Sequence, residues 1–155
     1  MIQKHQLVKH LTGGEAFMPL DHILRKIPKE YLNIRPKDLP YSFYELFYHI
    51  YFTQRDILNY CLRKDYHAPS WPEDYWPAVN SGINQEKWES LQNEFFADRE
   101  KLKNLILAED VDLTDPVPSN EKHSILREIL LVIEHTSYHS GQLLIILRHL
   151  GLHPS

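Results

Sequence analysis

Apolar residues recur at helical spacing in four stretches of the chain, and the segments between these stretches are rich in Pro, Asp and Asn. No alternating strand pattern competes with them. The predicted helices run from about Gln3 to Ile27, from Ser42 to about Arg63, from Gln85 to Leu107, and from an N-cap at Asn120 or Ser124 to His149. The pattern therefore predicts an all-α fold, a single four-helix bundle over residues 1–155.

The ends of two predicted helices carry clear signals. Ser42 and Glu45 have the spacing of a capping box, and Pro40 stops any helix upstream of them. The fourth predicted helix is apolar around most of its circumference and is followed by Gly151 and Pro154, which end it. We expect this helix to be buried among the other three.

The first predicted helix is interrupted by Gly13-Gly14 and by Pro19. Inside a helix each glycine costs about 1 kcal/mol relative to alanine, and a proline about 3 kcal/mol. Two interpretations follow: two shorter helices, or one kinked helix whose glycines let another backbone come close. We favour the kinked helix.

Two connections differ in character. The segment from His67 to Pro77, which contains Trp71, Tyr75 and Trp76, is too aromatic for a flexible linker and too rich in proline for a helix. We predict an ordered loop packed against the bundle between the second and third helices. The connection over residues 109–120 is predicted to be an ordinary extended crossing.

Composition limits the classes of partner. The formal charge is -4 with histidines neutral, and the basic residues are scattered among the acids, so we expect no nucleic-acid partner. The single cysteine, Cys61, permits no intramolecular disulfide. The chain has neither an apolar signal sequence nor an apolar run of the roughly 20 residues that span a membrane. We expect a soluble cytoplasmic protein with no membrane partner.

Histidine is the residue type whose positions point to chemistry. His135 and His139 lie one turn apart on the fourth predicted helix, about 40° apart around its axis, and can bind one metal ion together. A chain with ten histidines yields such a pair by chance about as often as not. A second pair, His149 and His153, is discounted because it falls at a helix end, where histidine often complements the helix dipole.

His49 strengthens the hypothesis of a metal site, because the helical pattern turns its side chain inward. A single inward histidine is more often a core residue with satisfied hydrogen bonds. Three inward histidines are harder to explain in this way, whereas a shared cation satisfies all of them. The segment from His135 to His139 lacks the glutamate of metalloproteases, and the Glu-x-x-His pairs of di-iron bundles are not evident. These features predict one mononuclear site for zinc or nickel.

The chain resembles the DinB/YfiT-like family of metal-binding four-helix bundles. The matching features are Gly13-Gly14, the stretch Leu39 to Ile50 that contains His49, the Trp71-Pro and Trp76-Pro loop, and the stretch Glu134 to Gln142 followed by Arg148. In that family one histidine of the second helix and the His-x-x-x-His of the fourth bind a divalent ion. The resemblance implies that His49, His135 and His139 are the metal ligands, and that the protein is a homodimer through exposed helix faces.

The sequence leaves several functions open for this site. Family members of known activity include thiol-dependent transferases and isomerases that use bacillithiol or mycothiol, so the resemblance implies transfer of such a thiol to a small-molecule electrophile. Metal-assisted hydrolysis is also open, because a bound ion can activate water. The alternative is a non-enzymatic stress-response or binding bundle whose metal is structural, closed by a fourth ligand such as Asp56. The sequence indicates no catalytic side chain.

Several polar and aromatic residues are candidates for supporting roles. Thr53, Asp56 and Gln142 lie on the faces of the predicted ligands and could fix an imidazole tautomer. A polar residue at the rim of the bundle explains each of them equally well. Trp71, Tyr75 and Trp76 are candidates to roof the pocket, although a loop that caps the core is the more ordinary explanation. Cys61 is predicted to be a buried thiol and not a nucleophile.

Overall fold

Helices dominate the computed structural model, which describes residues 2–78 and 83–153. The elements in chain order are α1 (Ile2–Thr12), α2 (Leu20–Leu24), α3 (Phe43–Leu62), α4 (Gln85–Leu107), β1 (Pro116–Val117), β2 (Asn120–Ser124) and α5 (Ile125–His149). Short 3₁₀ turns occur at Lys29–Tyr31 and Glu73–Tyr75. The prediction of an all-α fold is confirmed at this level, with a small hairpin added. None of the helices in the described part of the chain is long and apolar enough to cross a membrane.

The three long helices begin where side-chain caps satisfy their first backbone N–H groups. At α3 the Glu45 N–H donates to Ser42 Oγ at 3.3 Å, and the Ser42 N–H donates to Glu45 Oε2 at 2.8 Å, which completes the predicted capping box. At α5 the Arg127 N–H donates to Ser124 Oγ. Ser124 is therefore the N-cap, while Asn120 belongs to β2. Pro154, predicted to help end this helix, lies outside the described residues.

The favoured interpretation of a single kinked first helix is wrong. α1 ends at Thr12 and α2 begins only at Leu20, and between them Gly13 and Gly14 have φ angles of 90° and 98°. These left-handed values cannot continue a right-handed helix. A Cβ atom on Gly13 would lie 3.0 Å from the Phe17 ring and 3.3 Å from the Cα of Pro19. The glycines therefore serve a tight reversal of the chain.

Part of the connection predicted to be an ordinary extended crossing forms a small hairpin. β1 and β2 form an antiparallel hairpin, with Pro116 opposite Ser124 and Val117 opposite Asn120. Val117 is buried and anchors the hairpin in the core. β1 has only two residues, and β2 has the sequence NEKHS with no apolar side chain, so neither strand shows the alternation from which strands are predicted.

The core has two parts, one at each end of the bundle. At one end the rings of Phe47 and Phe95, on α3 and α4, meet edge to face with centroids 5.2 Å apart. At the other end aliphatic side chains of α4 and α5 predominate, among them Leu102 and Ile129. Packing on both parts fixes α3 against α5, which determines where their polar side chains can meet.

A buried arginine links the helices between these two parts. Arg99 on α4 donates to the backbone carbonyl of Leu11, to Gln54 Oε1 at 2.5 Å and to Thr136 Oγ1 at 3.3 Å. The three acceptors belong to α1, α3 and α5, and burial lowers the pKa of the guanidinium. Thr136 directly follows His135, so this network also sets the position of α5 at the histidine pair.

Candidate metal centre

Three histidines from two helices come together where α3 packs against α5. The candidate ligand atoms of His49, His135 and His139 all lie within 4.8 Å of one another. His49 Nε2 is 3.0 Å from His135 Nε2, and the centroids of the His135 and His139 rings are 4.3 Å apart. His49 and His139 are buried and His135 is half-buried. The structure thus brings together the three residues that the sequence predicts as ligands, and they could hold a metal ion.

The inward orientation of these rings follows from the apolar faces on which they lie. His49 follows Leu46 and precedes Ile50, both fully buried on α3. On α5 the pair lies between Val132 and Leu143, which are buried one turn to either side. Because apolar side chains drive each face into the core, the polar rings between them are carried inward as well.

Burial keeps the imidazoles neutral. Loss of solvent lowers the pKa of His49 to about 4, and positive charge on His139 lowers it further, while the Tyr75 carbonyl opposes the shift. The same loss of solvent, with the charges of His139 and His49, lowers the pKa of His135 to about 3. The pKa of His139 is also lowered by burial, against the opposing Gln142 amide. Near pH 7 all three rings therefore keep a lone pair free for a cation.

Hydrogen bonds on the outer nitrogens determine which nitrogen faces the centre. His49 Nδ1 donates to the Tyr75 carbonyl oxygen at 3.2 Å, and His139 Nδ1 donates to Gln142 Oε1 at 2.5 Å. These bonds leave Nε2 of both rings as the lone-pair nitrogen, an arrangement typical of histidines that bind metals. Gln142 thus lies where the sequence predicts it, against His139.

Unlike Gln142, neither Asp56 nor Thr53 is hydrogen-bonded to one of the three imidazoles. The Asp56 carboxylate accepts hydrogen bonds from the hydroxyls of Tyr66 at 2.8 Å and Tyr75 at 2.6 Å, so it contacts tyrosines rather than an imidazole. Tyr75 contacts both residues, since its hydroxyl donates to Asp56 and its backbone carbonyl accepts the imidazole N–H of His49. Thr53 Oγ1 is buried, one turn after His49, and has no hydrogen-bond partner among the residues that the structure describes. An orphaned hydroxyl on this face is a potential donor to a ligand or water in the site.

Aromatic side chains enclose the histidines on the side of the 67–77 loop. Trp76 stacks on His49 with centroids 4.4 Å apart and planes within 3°, and Trp71 approaches the same ring edge-on at 6.1 Å. Tyr41 stacks in turn on Trp76. Tyr138 contacts His139 at 4.9 Å. Trp71 and Tyr138 are both about two-thirds exposed, at 67% and 66%, so they form a rim around the site.

Tyr41 and Tyr138 are the residues at this site that sequence reasoning missed. Tyr138 directly precedes His139, and Tyr41 directly precedes the capping serine of α3, so each lay within a segment already singled out. Tyr41 reaches the site through Trp76, in a distant loop, so its spacing carried no signal. Tyr138 is adjacent to His139, but neighbouring residues of a helix do not generally face each other, so its position carried no signal either.

Comparison with known proteins agrees with this architecture. The sequence-family model of the DinB superfamily matches residues 15–143, a range that includes all three histidines. The chain therefore belongs to the DinB superfamily, as its motifs predict. No curated protein and no solved structure matches the chain significantly.

Proposed function

We propose that this protein is a metal-dependent enzyme that transfers a low-molecular-weight thiol, of the bacillithiol type, to a small electrophile. In this proposal His49, His135 and His139 hold one divalent ion, zinc or nickel. The observation that carries it is the convergence of three neutral imidazoles on one point beside an aromatic rim. Metal-assisted hydrolysis uses the same site and is the second reaction to test.

The donor set fits the proposed ion. Two imidazole nitrogens, each about 2.0–2.1 Å from a tetrahedral zinc ion, lie roughly 3.3 Å apart. The separation of 3.0 Å between His49 Nε2 and His135 Nε2 is close to this value. Neutral nitrogen ligands also suit zinc and nickel better than magnesium or calcium, which prefer oxygen. Three imidazoles leave the full positive charge of the ion uncompensated, which favours an anionic ligand such as a thiolate.

The protein ligands leave room for a substrate. Among the described residues the metal-binding group consists of three histidines, whereas structural zinc sites almost always have four protein ligands. Asp56, the carboxylate considered as a fourth ligand, is held by the hydroxyls of Tyr66 and Tyr75. This arrangement supports an open site over the alternative of a non-enzymatic bundle with a structural metal.

The reaction needs a sulfur nucleophile and a place for the electrophile. A bound divalent ion would lower the pKa of a coordinated thiol or water molecule. Trp76 covers one face of His49 and limits water there, and Gln142 holds the His139 ring in orientation. In the transfer the sulfur forms a bond to the electrophilic carbon. The leaving group departs with its electron pair, and the thiol proton passes to solvent.

The direct test is a thiol-transfer assay on protein loaded with zinc or with nickel. Bacillithiol, mycothiol and glutathione would each be combined with 1-chloro-2,4-dinitrobenzene and with an epoxide, and hydrolysis of 4-nitrophenyl acetate would be followed separately. We expect at least a tenfold higher rate of addition for one thiol, lost in His135→Ala and kept in His10→Ala, whose histidine is exposed on α1. Rates that metal-loaded protein leaves unchanged for all three thiols would overturn the transferase proposal.

A further inference from the structure

Tyr75, in the loop that follows α3, is attached to that helix at two points. Its hydroxyl donates to Asp56 Oδ2 at 2.6 Å, and its backbone carbonyl accepts the His49 Nδ1–H at 3.2 Å. Asp56 follows His49 by seven residues, so the two lie about 10 Å apart along the helix axis and on nearly the same face. One loop residue therefore joins two positions of α3 that are two turns apart.

The bond at the Asp56 end is a strong one. A hydroxyl that donates to a carboxylate forms a shorter bond than it does with a neutral acceptor, and one roughly twice as strong. The 2.6 Å distance from the Tyr75 hydroxyl has this short value, and Tyr66 donates to the other carboxylate oxygen at 2.8 Å. Burial, together with the hydrogen bonds to Asp56, raises the pKa of both tyrosines. Both hydroxyls therefore keep the proton that they donate.

The backbone end of this attachment controls the His49 ring. The Tyr75 carbonyl accepts the Nδ1–H and so selects the tautomer whose lone pair is on Nε2. The next residue, Trp76, stacks on the same ring with centroids 4.4 Å apart. A shift of residues 75–76 would disturb both contacts at once. Hydrogen-bond partners of metal-binding histidines typically contribute about 10–100-fold to metal affinity.

Packing of the Tyr75 ring offers a competing explanation for the position of the loop. Phe52 and Trp71 contact this ring with centroids 5.0 and 5.1 Å away. Ring pairs of this kind tolerate centroid distances of about 4.5–7 Å. A hydrogen bond, by contrast, weakens steeply outside a narrow range of distance and angle. The bond to Asp56 is therefore the contact that determines how far along α3 the Tyr75 residue lies.

We propose that Asp56 is a positioning residue for His49. By anchoring the Tyr75 hydroxyl, it holds the Tyr75 carbonyl where that carbonyl fixes the tautomer and orientation of the imidazole. The consequence for metal affinity rests on the proposed three-histidine site and is independent of the thiol-transfer reaction. Tyr66 is the natural control, because it binds the same carboxylate while its ring packs on Tyr60, toward the end of α3.

Zinc affinity, measured by competition with a chromophoric chelator, tests the anchor. We expect Tyr75→Phe and Asp56→Ala each to raise the zinc Kd about 5- to 30-fold, less than the loss of a direct partner can cause. The variant with both changes should bind no more weakly than Asp56→Ala, because both remove the same anchor. Tyr66→Phe should keep the parent Kd. A Tyr75→Phe variant that binds zinc as tightly as Tyr66→Phe would overturn the proposal.

The tautomer of His49 gives a second measurement, which needs no metal. Long-range ¹H–¹⁵N correlation spectra of metal-free protein show which ring nitrogen carries the proton. We expect Nδ1–H in the parent and in Tyr66→Phe, and a mixture of both tautomers in Tyr75→Phe and Asp56→Ala, with the helical circular dichroism spectrum retained. A role in stability alone would lower the Tm of these variants and leave the tautomer unchanged.

The two measurements separate this proposal from the metal site. An Nδ1–H tautomer that persists in both Tyr75→Phe and Asp56→Ala would overturn the role of Asp56, even in a parent protein that binds zinc. A parent protein that binds no zinc would contradict the metal site, and the expected change of tautomer would still support the anchoring of His49 through Tyr75.

Discussion

At the residue scale, burial has opposite consequences for the imidazole and the thiol, two kinds of side chain that bind metal through a free lone pair. For an imidazole, loss of solvent favours the neutral form that carries a free lone pair, as at His49 and His135. For a thiol, the same loss opposes the thiolate, which is the form that reacts and binds metal. Burial accordingly raises the pKa of Cys61 to about 12.

Cys61 should therefore be inert in the folded protein. The raised pKa leaves almost none of the thiol ionised at pH 8. Cys61 also packs among the buried aliphatic residues of the second part of the core. We expect native protein to react with a disulfide reagent such as 5,5′-dithiobis(2-nitrobenzoic acid) at least a hundredfold more slowly than protein unfolded in guanidinium chloride. Equal rates in the two states would show that the thiol is accessible.

The supporting residues differ in how far the sequence could place them. Gln142 lies three residues after His139 on one helix, so its contact follows from helical spacing. The contact of Asp56 with Tyr75 joins α3 to a loop, and that of Tyr41 with Trp76 joins the start of α3 to the same loop. Contacts between separate segments do not follow from helical periodicity. Helical spacing alone therefore could not predict that Asp56 accepts hydrogen bonds from tyrosines or that Tyr41 lies at the site.

At the element scale, local signals determine where helices begin and end. The cap at Ser42 was predictable because its capping box lies within four residues of the helix start, whereas Ser124 was one of two predicted N-caps. The bounds of α4 followed from its helical periodicity. The break after Thr12 was harder to predict. Two glycines are compatible with either a kink or a reversal, and the choice depends on the left-handed φ that they adopt in the folded chain.

Gly13 gives a test of that reversal. Gly13→Ala places a Cβ atom in a left-handed conformation, 3.0 Å from the Phe17 ring, so we expect a loss of about 1–3 kcal/mol in the free energy of unfolding. Urea denaturation of dilute protein measures this quantity. Gly141→Ala is the matched control, because it adds a methyl group in open space within a helix and should raise the stability by up to about 1 kcal/mol. A Gly13→Ala variant as stable as the parent would contradict the tight reversal.

At the scale of the whole molecule, the site depends on how α3 and α5 are held together. The two parts of the core and the Arg99 network fix these helices from either side of the histidines. Amphipathic periodicity predicted that His49 and the pair on α5 face inward. Whether the three rings lie at the same depth depends on how the helices pack. The expectation that they do came from the resemblance to the DinB superfamily.

Metal content tests the central claim, that the three histidines form one metal site, most directly. Protein produced without a histidine tag would be incubated with zinc or nickel, desalted and measured by elemental analysis, beside His49→Ala, His135→Ala and His139→Ala. We predict close to one ion per chain in the parent and in the His10→Ala control, and less than a tenth of that in each of the three variants. Near-stoichiometric metal that persists in those variants, or a parent protein that retains neither metal, would contradict the three-histidine site.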